Sequence, residues 1–525
     1  MRFLLLFVAI FPFWCEIEGA NILFMAPLAS PSHHNWNRNL YVEMAKRGHN
    51  VTVLSVDKDK EPTKNLHYIL MEGVYEALHD SNEAVDLIEF AKLSEWGAFE
   101  AFWHWCSFNS RLTAASKGIQ TLLNYPDNFK FDLIVDDLSM APFILGFIHK
   151  FNYPPAVAVT PFSVPHYFTR TFGGHRQPSY VSHHGSQFSD KMSFYERIVN
   201  YLFYLVDDYY MAYHVMPEQE SLMRQVFGRL RDLPTLETLQ SEVGLALVNV
   251  HPAVEQTFPL PPNMIPVGGL QVRDPKPLDP PIKTFIESGK EGTVLFSLGT
   301  NVKSEMLDTK TKEMFIKVFA ELPQYNFLWK YESDLTIPLP KNVMIRPWLK
   351  QSDILAHENL KAFISHCGLM STQEATWRGI PVVGMPFFAD QRRNAVGIVN
   401  RGTGVRLDVF TLTKEKFKAA LLDVLLNPKY TQNAKSRARV FQDQMEKPID
   451  RAIYWLEWAM RHGEDMQVIQ SPVKELGWFV GNGYDVMLFG LLIVLVGSWA
   501  LLKTCKVFCC GRKKRCSKET KEKSN

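Results

Sequence analysis

The chain lacks the features that mark several large protein classes. It has seven cysteines in 525 residues, and five of them lie in the terminal segments, which leaves Cys106 and Cys367 in the body. Two cysteines so far apart form no disulfide framework. The formal net charge is +2, and no basic stripe interleaved with aromatic residues occurs in the body, which argues against a nucleic-acid partner. No Gly-x-Gly-x-x-Gly follows the first strand pattern, which argues against a dinucleotide oxidoreductase.

An apolar run is present near the N-terminus. Residues 1–20 combine Arg2, an apolar block and the small residues Gly19 and Ala20, which is the layout of a cleaved signal peptide. The apolar block, of about twelve residues, is short for a membrane span. We therefore expect the body of the protein to enter the secretory lumen.

A second apolar run near the C-terminus is long enough to cross a membrane. Residues 486–502 carry no charge, and about 17 residues is the lower limit for a spanning helix. The downstream flank is basic and the upstream flank has little positive charge, so the tail should be cytosolic. The sequence predicts a transmembrane helix at 484–503, a basic cytosolic tail at 504–525 and a single-pass type I topology.

The last residues suggest where the protein resides. Lys521 and Lys523 stand five and three places from the C-terminus, an arrangement that resembles the dilysine retrieval signals of endoplasmic reticulum membrane proteins. The alternative is a solvated charged tail without a targeting role. We expect residence in the endoplasmic reticulum membrane.

The body alternates strand and helix patterns in two successive series. Strand patterns at 21–26 and 51–56 flank a helix pattern at 38–47, so a βαβ unit opens the mature chain. A proline-rich stretch separates the two series. The predicted fold class is α/β, with two doubly wound Rossmann-like domains and a C-terminal transmembrane helix. The predicted boundaries are an N-terminal domain at 21–260, a linker at 261–282, a C-terminal domain at 283–440, and terminal helices with a juxtamembrane segment at 441–483.

One junction in the second series carries polar residues that an ordinary turn does not require. In "FISHCGLMSTQEA" a strand pattern ends at His366 and Gly368, and a helix pattern opens with Ser371 and Thr372. A helix N-terminus offers free amides and partial positive charge, so the junction suits a phosphate. Glu374 would repel phosphate but accept both hydroxyls of a ribose, which indicates a nucleotide. An ordinary capped helix start explains the hydroxyls and Glu374, but not His366 and Gly368.

The flanking residues extend this pattern. Trp348 and Gln351 upstream provide a ring for a base and an amide for its edge, and Asp390 and Gln391 downstream provide hydroxyl-binding groups. Residues 348–395 resemble the signature of UDP-glycosyltransferases: Trp-x-x-Gln, then His-x-Gly with a Glu eight residues after the His, then Asp-Gln. The resemblance covers nearly the whole chain, including both termini. It implies the GT-B architecture of two facing Rossmann-like domains.

The resemblance assigns donor contacts along the ligand, from its base to its sugar. They are Trp348 and Gln351 for uracil, Glu374 for the ribose, His366 and Ser371 with the adjoining Gly368 and Thr372 for the diphosphate, and Asp390 and Gln391 for the sugar hydroxyls. Ser297, Gly299 and Thr300 resemble the family's other loop on the phosphate side. The chain departs from some relatives at Leu369 and Met370, which leaves the fine contacts there open.

The resemblance also selects a catalytic base. His33 and His34 follow the first strand pattern, and the family's base lies sixteen residues before the His of the "RGH" turn, here His49, which selects His33. An acidic residue at a neighbouring strand end would orient its imidazole. "FDLIVDDL" offers two, of which the resemblance favours Asp137 and leaves Asp136 as the alternative.

The function expected is inverting transfer of a hexosyl group from a UDP-sugar to a hydroxyl of small lipophilic acceptors, giving β-glycosides for clearance. No metal or other cofactor is expected, because the helix end and His366 already neutralise the diphosphate. The aspartates on either side of Lys58 match the sequence pattern of a metal-binding motif. They follow a βαβ unit, however, so we interpret them as part of a polar loop. The alternative is a catalytically inactive protein of the same fold that binds UDP-sugars or lipophiles.

The identity of the donor sugar stays open between two candidates. UDP-glucuronic acid needs a cation for its carboxylate, and Arg392 and Arg393 adjoin the sugar-binding pair. The sequences of the motifs are similar to those of the invertebrate branch of the family, whose members commonly use UDP-glucose. We favour UDP-glucose, with UDP-glucuronic acid second. The acceptor and any homo-oligomer stay open.

Overall fold

The computed structural model describes residues 19–80 and 86–522. The predicted signal peptide lies outside the described residues except for its last two positions, and so does Lys523 of the predicted retrieval signal. The described chain forms two parallel sheets with helices on their faces, followed by one long helix.

The first sheet has seven parallel strands in the order β3-β2-β1-β4-β5-β6-β7. Its strands are β1 (Asn21–Ala26), β2 (Asn50–Ser55), β3 (Leu66–Leu70), β4 (Leu133–Asp137), β5 (Ala156–Thr160), β6 (Val243–Val248) and β7 (Met264–Pro266). The order reverses at β1, which makes the end of β1 a topological switch point where ligands bind in open α/β sheets.

Ten helices accompany this sheet among the described residues. They are α1 (Pro31–Lys46), α2 (Val74–Asp80), α3 (Leu87–Lys92), α4 (Glu95–Ala115), α5 (Lys117–Leu123), α6 (Gly146–Lys150), α7 (His166–Thr171), α8 (Phe194–Tyr210), α9 (Met216–Phe227) and α10 (Leu236–Glu242). They cover both sheet faces, so the strands are continuously apolar, as in other buried parallel sheets.

The start of α1 differs from the prediction of a helix over 38–47. The helix begins at Pro31, after an extended Ser30 at its N-cap position, because the fixed φ of proline suits the first helical turn. The first turn faces a cleft rather than the core, so its residues are polar and carry little helical hydrophobic periodicity. His33 consequently lies on the first turn of a helix and not in a loop.

The second sheet has six parallel strands in the order β10-β9-β8-β11-β12-β13. Its strands are β8 (Gly292–Ser297), β9 (Tyr325–Lys330), β10 (Val343–Arg346), β11 (Leu360–Ser365), β12 (Val382–Gly384) and β13 (Gly404–Arg406). The remaining helices are α11 (Pro280–Glu287), α12 (Thr309–Ala320), α13 (Gln351–Leu355), α14 (Leu369–Arg378), α15 (Gln391–Asn400), α16 (Lys414–Leu426), α17 (Pro428–Gln442), α18 (Pro448–Arg461), α19 (Val473–Gly481) and α20 (Tyr484–Glu522).

The segment predicted as a linker at 261–282 contains regular structure at both ends. Strand β7 pairs with β6 inside it and extends the first sheet beyond residue 260. Helix α11 begins at Pro280, where two prolines occupy the first helical positions. The connection between the domains is therefore shorter than predicted, at 267–279, and it still contains Pro275 and Pro277.

Helix α18 returns from the second domain to pack against the first sheet. Ala452, Ile453 and Leu456 are fully buried in the same apolar cluster as Ile22 and Phe24 of β1. This burial ties the end of the chain's second series to the first domain and fixes the relative position of the two sheets.

Helix α20 is long and apolar enough to cross a membrane. Residues Tyr484–Phe508 have a mean hydropathy of 2.2 and are wholly exposed in the described structure. Twenty-five residues rise about 37 Å, which exceeds the hydrocarbon thickness of a bilayer.

Candidate functional site

A cleft of about 910 Å³ lies between the two domains. It is lined by residues at the carboxyl ends of strands in both sheets, where α/β folds bind ligands. The predicted site residues that line it are His33, Ser297, Gly299, Thr300, Trp348, Gln351, His366, Gly368, Ser371, Glu374, Asp390 and Gln391. Asp137 lies behind His33, and Thr372 does not line the cleft.

His33 and Asp137 form a buried hydrogen-bonded pair. His33 Nδ1 and Asp137 Oδ2 are 2.9 Å apart, and the His33 side chain is almost fully buried. Asn37 Nδ2 donates to the same carboxylate oxygen at 2.8 Å, and the backbone N–H of Ser139 donates to the other at 3.3 Å. The carboxylate thus fixes the imidazole orientation and leaves Nε2 for a proton at the cleft. The ring of Phe162 packs edge-on against the imidazole at 4.7 Å.

Strand alternation separates Asp137 from Asp136. Asp137 shares the sheet face of Val135, which packs with α1, whereas Asp136 shares the opposite face with Ile134. Both carboxyl oxygens of Asp136 are buried and have no hydrogen-bond partner among the described residues. Burial, and then the nearby charge of Asp137, raise the pKa of Asp136 well above its usual range. Asp136 lies on the sheet face away from α1 and therefore cannot orient His33.

His366 sits between two glycines at the end of β11. A Cβ at Gly299 would lie 2.6 Å from the His366 ring, and a Cβ at Gly368 would lie 2.4 Å from its Nε2, so only glycine fits at either position. Gly299 also has a φ of +88°. Burial, and then the charge of Lys330, lower the pKa of His366 to about 4. The imidazole is neutral at pH 7, and its buried Nδ1 has no partner among the described residues.

The backbone at this junction forms an anion-binding shape. Cys367 has a φ of +65°, which is strained for a residue with a side chain. It turns the chain from β11 into α14, whose N-terminal end lines the cleft at Gly368 and Leu369. Thr372 does not reach the cleft, because its hydroxyl donates to the Gly368 carbonyl at 3.0 Å. Its place is within the helix, where it stabilises the first turn.

Glu374 and Gln351 form a hydrogen-bonded pair on the cleft wall. Gln351 Nε2 donates to Glu374 Oε2 at 2.7 Å and to Ser371 Oγ at 2.9 Å. Burial raises the pKa of Glu374 to about 7. The carboxyl therefore changes its ionisation within the physiological range, and the charged form is the one that accepts hydrogen bonds from two hydroxyls.

Trp348 presents a flat apolar surface to the cleft. Its side chain is 59% exposed, which is unusual for so large an aromatic residue. Lys330 Nζ lies 5.9 Å from the ring centroid and pairs with Glu332 at 2.5 Å. An exposed ring beside a paired cation suits stacking by a planar base.

Asp390 and Gln391 also line the cleft. Asn394 Nδ2 donates to Asp390 Oδ2 at 2.8 Å and to the Cys367 carbonyl at 3.0 Å, which links this loop to the His366 junction. Gln391 Oε1 accepts from the backbone of Phe387 at 2.9 Å, so its Nε2 is the atom left for a ligand. Burial raises the pKa of Asp390 from its usual range.

Arg392 and Arg393, the two candidate cations for a glucuronate carboxylate, follow Gln391 on α15. Arg392 donates to the carbonyls of Ala91 and Leu93 in the first domain and of Phe387 in its own. Neither Arg392 nor Arg393 lines the cleft. Arg392 is therefore a bridge between domains.

Three residues that the sequence did not single out support the site. They are Asn37, Ser139 and Lys330. Asn37 follows His33 by one helical turn, a spacing that places both on one face of α1 once the helix is known to begin at Pro31. Ser139 lies two residues after Asp137, and its hydrogen bond depends on the turn that follows β4. Lys330 ends β9 and comes near Trp348 only through the fold.

Part of the first-domain side of the cleft is apolar. Its lining includes Leu28, Phe90, Phe102, Trp105 and Phe162. Such a surface beside the His33 imidazole suits a lipophilic molecule with one polar group.

Comparison with known proteins finds relatives over nearly the whole chain. The chain is 31% identical to UDP-glucosyltransferase 2 of Dactylopius coccus over 510 residues, which cover 96% of each protein. It is 30% identical to UDP-glucuronosyltransferase 2B15 of Homo sapiens, with 91% of each covered.

Solved structures share the fold. CalG4, the calicheamicin glycosyltransferase, has a TM-score of 0.55 at 15% identity, with 84% of this chain and 98% of that chain covered. Os79 from O. sativa in complex with UDP has a TM-score of 0.52 at 18% identity, with 84% and 99% covered. The predicted fold of two facing Rossmann-like domains is confirmed. Residues 22–521 match the model of one family, and the chain belongs to it: the UDP-glucoronosyl and UDP-glucosyl transferases.

Proposed function

We propose that this UDP-glycosyltransferase transfers a glucosyl group from UDP-glucose to a hydroxyl of small lipophilic acceptors, with inversion at the anomeric carbon. The observation that carries the proposal is the buried His33–Asp137 pair at the cleft, opposite the glycine-flanked His366 junction. One group can take a proton and the other can hold a diphosphate, as the reaction requires. An inactive binding protein would have no need for the pair.

The proposed chemistry is an in-line displacement. His33 Nε2 takes the acceptor proton as the acceptor oxygen attacks the anomeric carbon, and the bond from that carbon to the diphosphate breaks. Asp137 stabilises the imidazolium that forms. The α14 amides and His366 stabilise the departing UDP, whose negative charge grows as the bond breaks. No step needs a metal ion, because these donors already face the diphosphate.

The remaining donor contacts follow the cleft wall. Trp348 stacks on uracil and Gln351 binds its edge, Glu374 takes the ribose hydroxyls, and Asp390 and Gln391 take the sugar hydroxyls. Ser297, Gly299 and Thr300 close the phosphate side. These assignments are supported by the presence of all these residues in the lining of one cleft.

Glucose is favoured over glucuronic acid by the charges near the sugar end. Asp390 is a carboxyl group at this end, and Arg392 is held by backbone carbonyls. A second carboxylate would lack a dedicated partner there, which is costly on burial. The relative from Dactylopius coccus is named a glucosyltransferase, whereas the human relative is named a glucuronosyltransferase.

We also propose that α20 anchors the protein in the endoplasmic reticulum membrane with its catalytic body in the lumen. The span Tyr484–Phe508 is uncharged over most of its length, and the basic residues follow it. Positive charge on the cytosolic side sets this orientation. Glycosides formed in the lumen would serve clearance of the acceptors.

The first prediction concerns proton transfer. His33→Ala should lower kcat by about 10² to 10⁴ while the Kd for UDP stays nearly unchanged, because the base acts in the transition state. Asp137→Asn should lower kcat in the same direction. Asp136→Asn is the matched control and should change kcat little, because Asp136 lies on the sheet face away from α1 and His33. Equal losses of turnover and UDP affinity in His33→Ala would instead make His33 a structural residue.

The second prediction concerns the ionisation of Glu374. Its pKa is raised to about 7, and only the ionised form accepts from both ribose hydroxyls. Affinity for UDP-glucose, whose diphosphate stays ionised, should therefore fall below pH 7, by up to about tenfold per pH unit. Isothermal titration in two buffers of different ionisation enthalpy should detect proton release near pH 7. Glu374→Gln should bind more weakly and lose this release; pH-independent binding by the wild type would exclude the role.

The third prediction concerns the donor. In competition kinetics on the full-length enzyme, kcat/KM for UDP-glucose should exceed that for UDP-glucuronic acid by about tenfold, equivalent to about 1.4 kcal/mol. The reason is the unpaired C6 carboxylate beside Asp390. A preference in the opposite direction would refute glucose, and its loss in Arg392→Ala or Arg393→Ala would identify the cation responsible.

The fourth prediction concerns topology. Protease added to sealed microsomes should remove only the tail that follows about residue 508, because everything before the span is lumenal. Antibodies against the body and against a C-terminal tag would report the two sides. A protected tag with a digested body would reverse the orientation.

A further inference from the structure

Helix α8 exposes an apolar face. The face consists of seven residues, here called the α8 face: Phe194, Tyr195, Ile198, Tyr201, Leu202, Leu205 and Tyr209. At 100° per residue these positions fall within a sector of about 120°. Phe194 and Tyr195 are 71% and 73% exposed, and none of the seven carries a charge. A contiguous stripe of this kind on a soluble surface marks an interaction site.

The opposite side of α8 is firmly held, so the helix cannot turn the stripe inward. Phe203 is fully buried and stacks on Trp96 with ring centroids 3.9 Å apart. Asp207 is also fully buried; its oxygens accept from Trp103 Nε1 and from His183 Nε2, both at 2.9 Å. His183 Nδ1 in turn accepts from the Gly185 N–H at 3.1 Å, which fixes its tautomer. These contacts set the rotation of α8 about its axis.

The hydrogen bonds of His183 and Asp207 also indicate the role of a histidine cluster beside α8. His166, His183, His184 and Asp207 have ligand atoms within 4.8 Å of one another. The Gly185 N–H occupies one nitrogen of His183, and the proton of the other is directed at Asp207. The cluster is therefore a hydrogen-bonded support for α8.

The segment before α8 contacts the residues that precede α20. His175 Nδ1 lies 3.3 Å from Asn482 Oδ1, two positions before α20 begins. A Cβ at Gly173 would lie 2.7 Å from Ser471 Cβ, so the backbones meet closely there. Arg176, next to His175, forms a bidentate ion pair with Asp208 of α8. Two short links thus hold α8 beside the start of the span.

We propose that the α8 face lies in the surface of the same bilayer that α20 crosses, in the plane of its lumenal leaflet. The inference rests on the proposed membrane span. The α8 face combines three tyrosines and a phenylalanine with three aliphatic side chains. Such aromatic and aliphatic side chains settle at the boundary between the headgroups and the acyl chains of a bilayer. A second copy of the chain is the other occupant to consider, but it would not explain why the face adjoins the span.

This placement brings the bilayer next to the apolar end of the cleft. Trp96, which stacks on α8, belongs to α4, and Phe102 and Trp105 of the same helix line the cleft. One helix therefore separates lipid from the proposed acceptor pocket. Acceptors dissolved in the leaflet would reach the pocket at a higher local concentration than those in water.

The test uses the full-length protein in nanodiscs that contain phosphatidylcholine with a diazirine in its acyl chain. After irradiation, mass spectrometry should find lipid adducts on peptides covering 194–209 and on peptides covering 484–508. Peptides around Leu426 and Val440, which are exposed apolar residues of α16 and α17, should stay unlabelled. Adducts on the span alone would overturn the α8 proposal and keep the anchor. Adducts on neither segment would overturn both.

A variant separates lipid contact from stability. Ile198→Glu, Leu202→Glu and Leu205→Glu together should abolish adducts on 194–209 without affecting those on the span. Turnover of a short water-soluble phenol should change less than about twofold, while kcat/KM for a long-chain alkylphenol in the bilayer should fall by about tenfold. Leu426→Glu with Val440→Glu is the matched control and should leave both values unchanged. Equal loss for both acceptors would contradict delivery through the leaflet.

Discussion

The site depends on one geometric constraint: the carboxyl ends of both parallel sheets open onto the same cleft. In a parallel sheet with helical crossovers, every strand end at one edge is followed by a loop that leads into a helix. His33 follows β1, Asp137 ends β4, and His366 follows β11, so chemistry from three distant segments converges. Facing sheets alone would leave the two halves free to separate. Helix α18 prevents this, because its apolar side is buried against the first sheet after the chain has completed the second.

Much of this arrangement could be predicted from local sequence patterns. The bounds of β1 agree with the strand predicted at 21–26, because a short apolar run bounded by polar residues leaves little freedom in its placement. The position of the candidate donor-binding residues at one cleft could be predicted for a similar reason: the motif around His366 is contiguous, and a strand end followed by a helix start brings it to one place. The family resemblance supplied the choice of His33 over His34, which the residues by themselves left open.

The rest depends on contacts that local patterns do not encode. The first turn of α1 was missed because its polar residues face the cleft and show no helical periodicity. The return of α18 was missed because amphipathic periodicity shows that a helix buries one side, but not which domain it buries it against. The two-residue period of a strand places Asp136 and Asp137 on opposite faces of the sheet. The choice between them can be made only when the face that packs on α1 is known, and the structure shows that face.

The electrostatics of the cleft favour a ligand on which negative charge builds up during the reaction. Burial keeps His366 neutral, with its pKa near 4, and keeps the carboxyl of Glu374 near half ionisation at pH 7. Neutral donors and backbone amides interact more strongly as charge accumulates on the leaving diphosphate. The strained φ of Cys367 holds those amides in position before the ligand arrives, so their reorganisation adds little to the barrier.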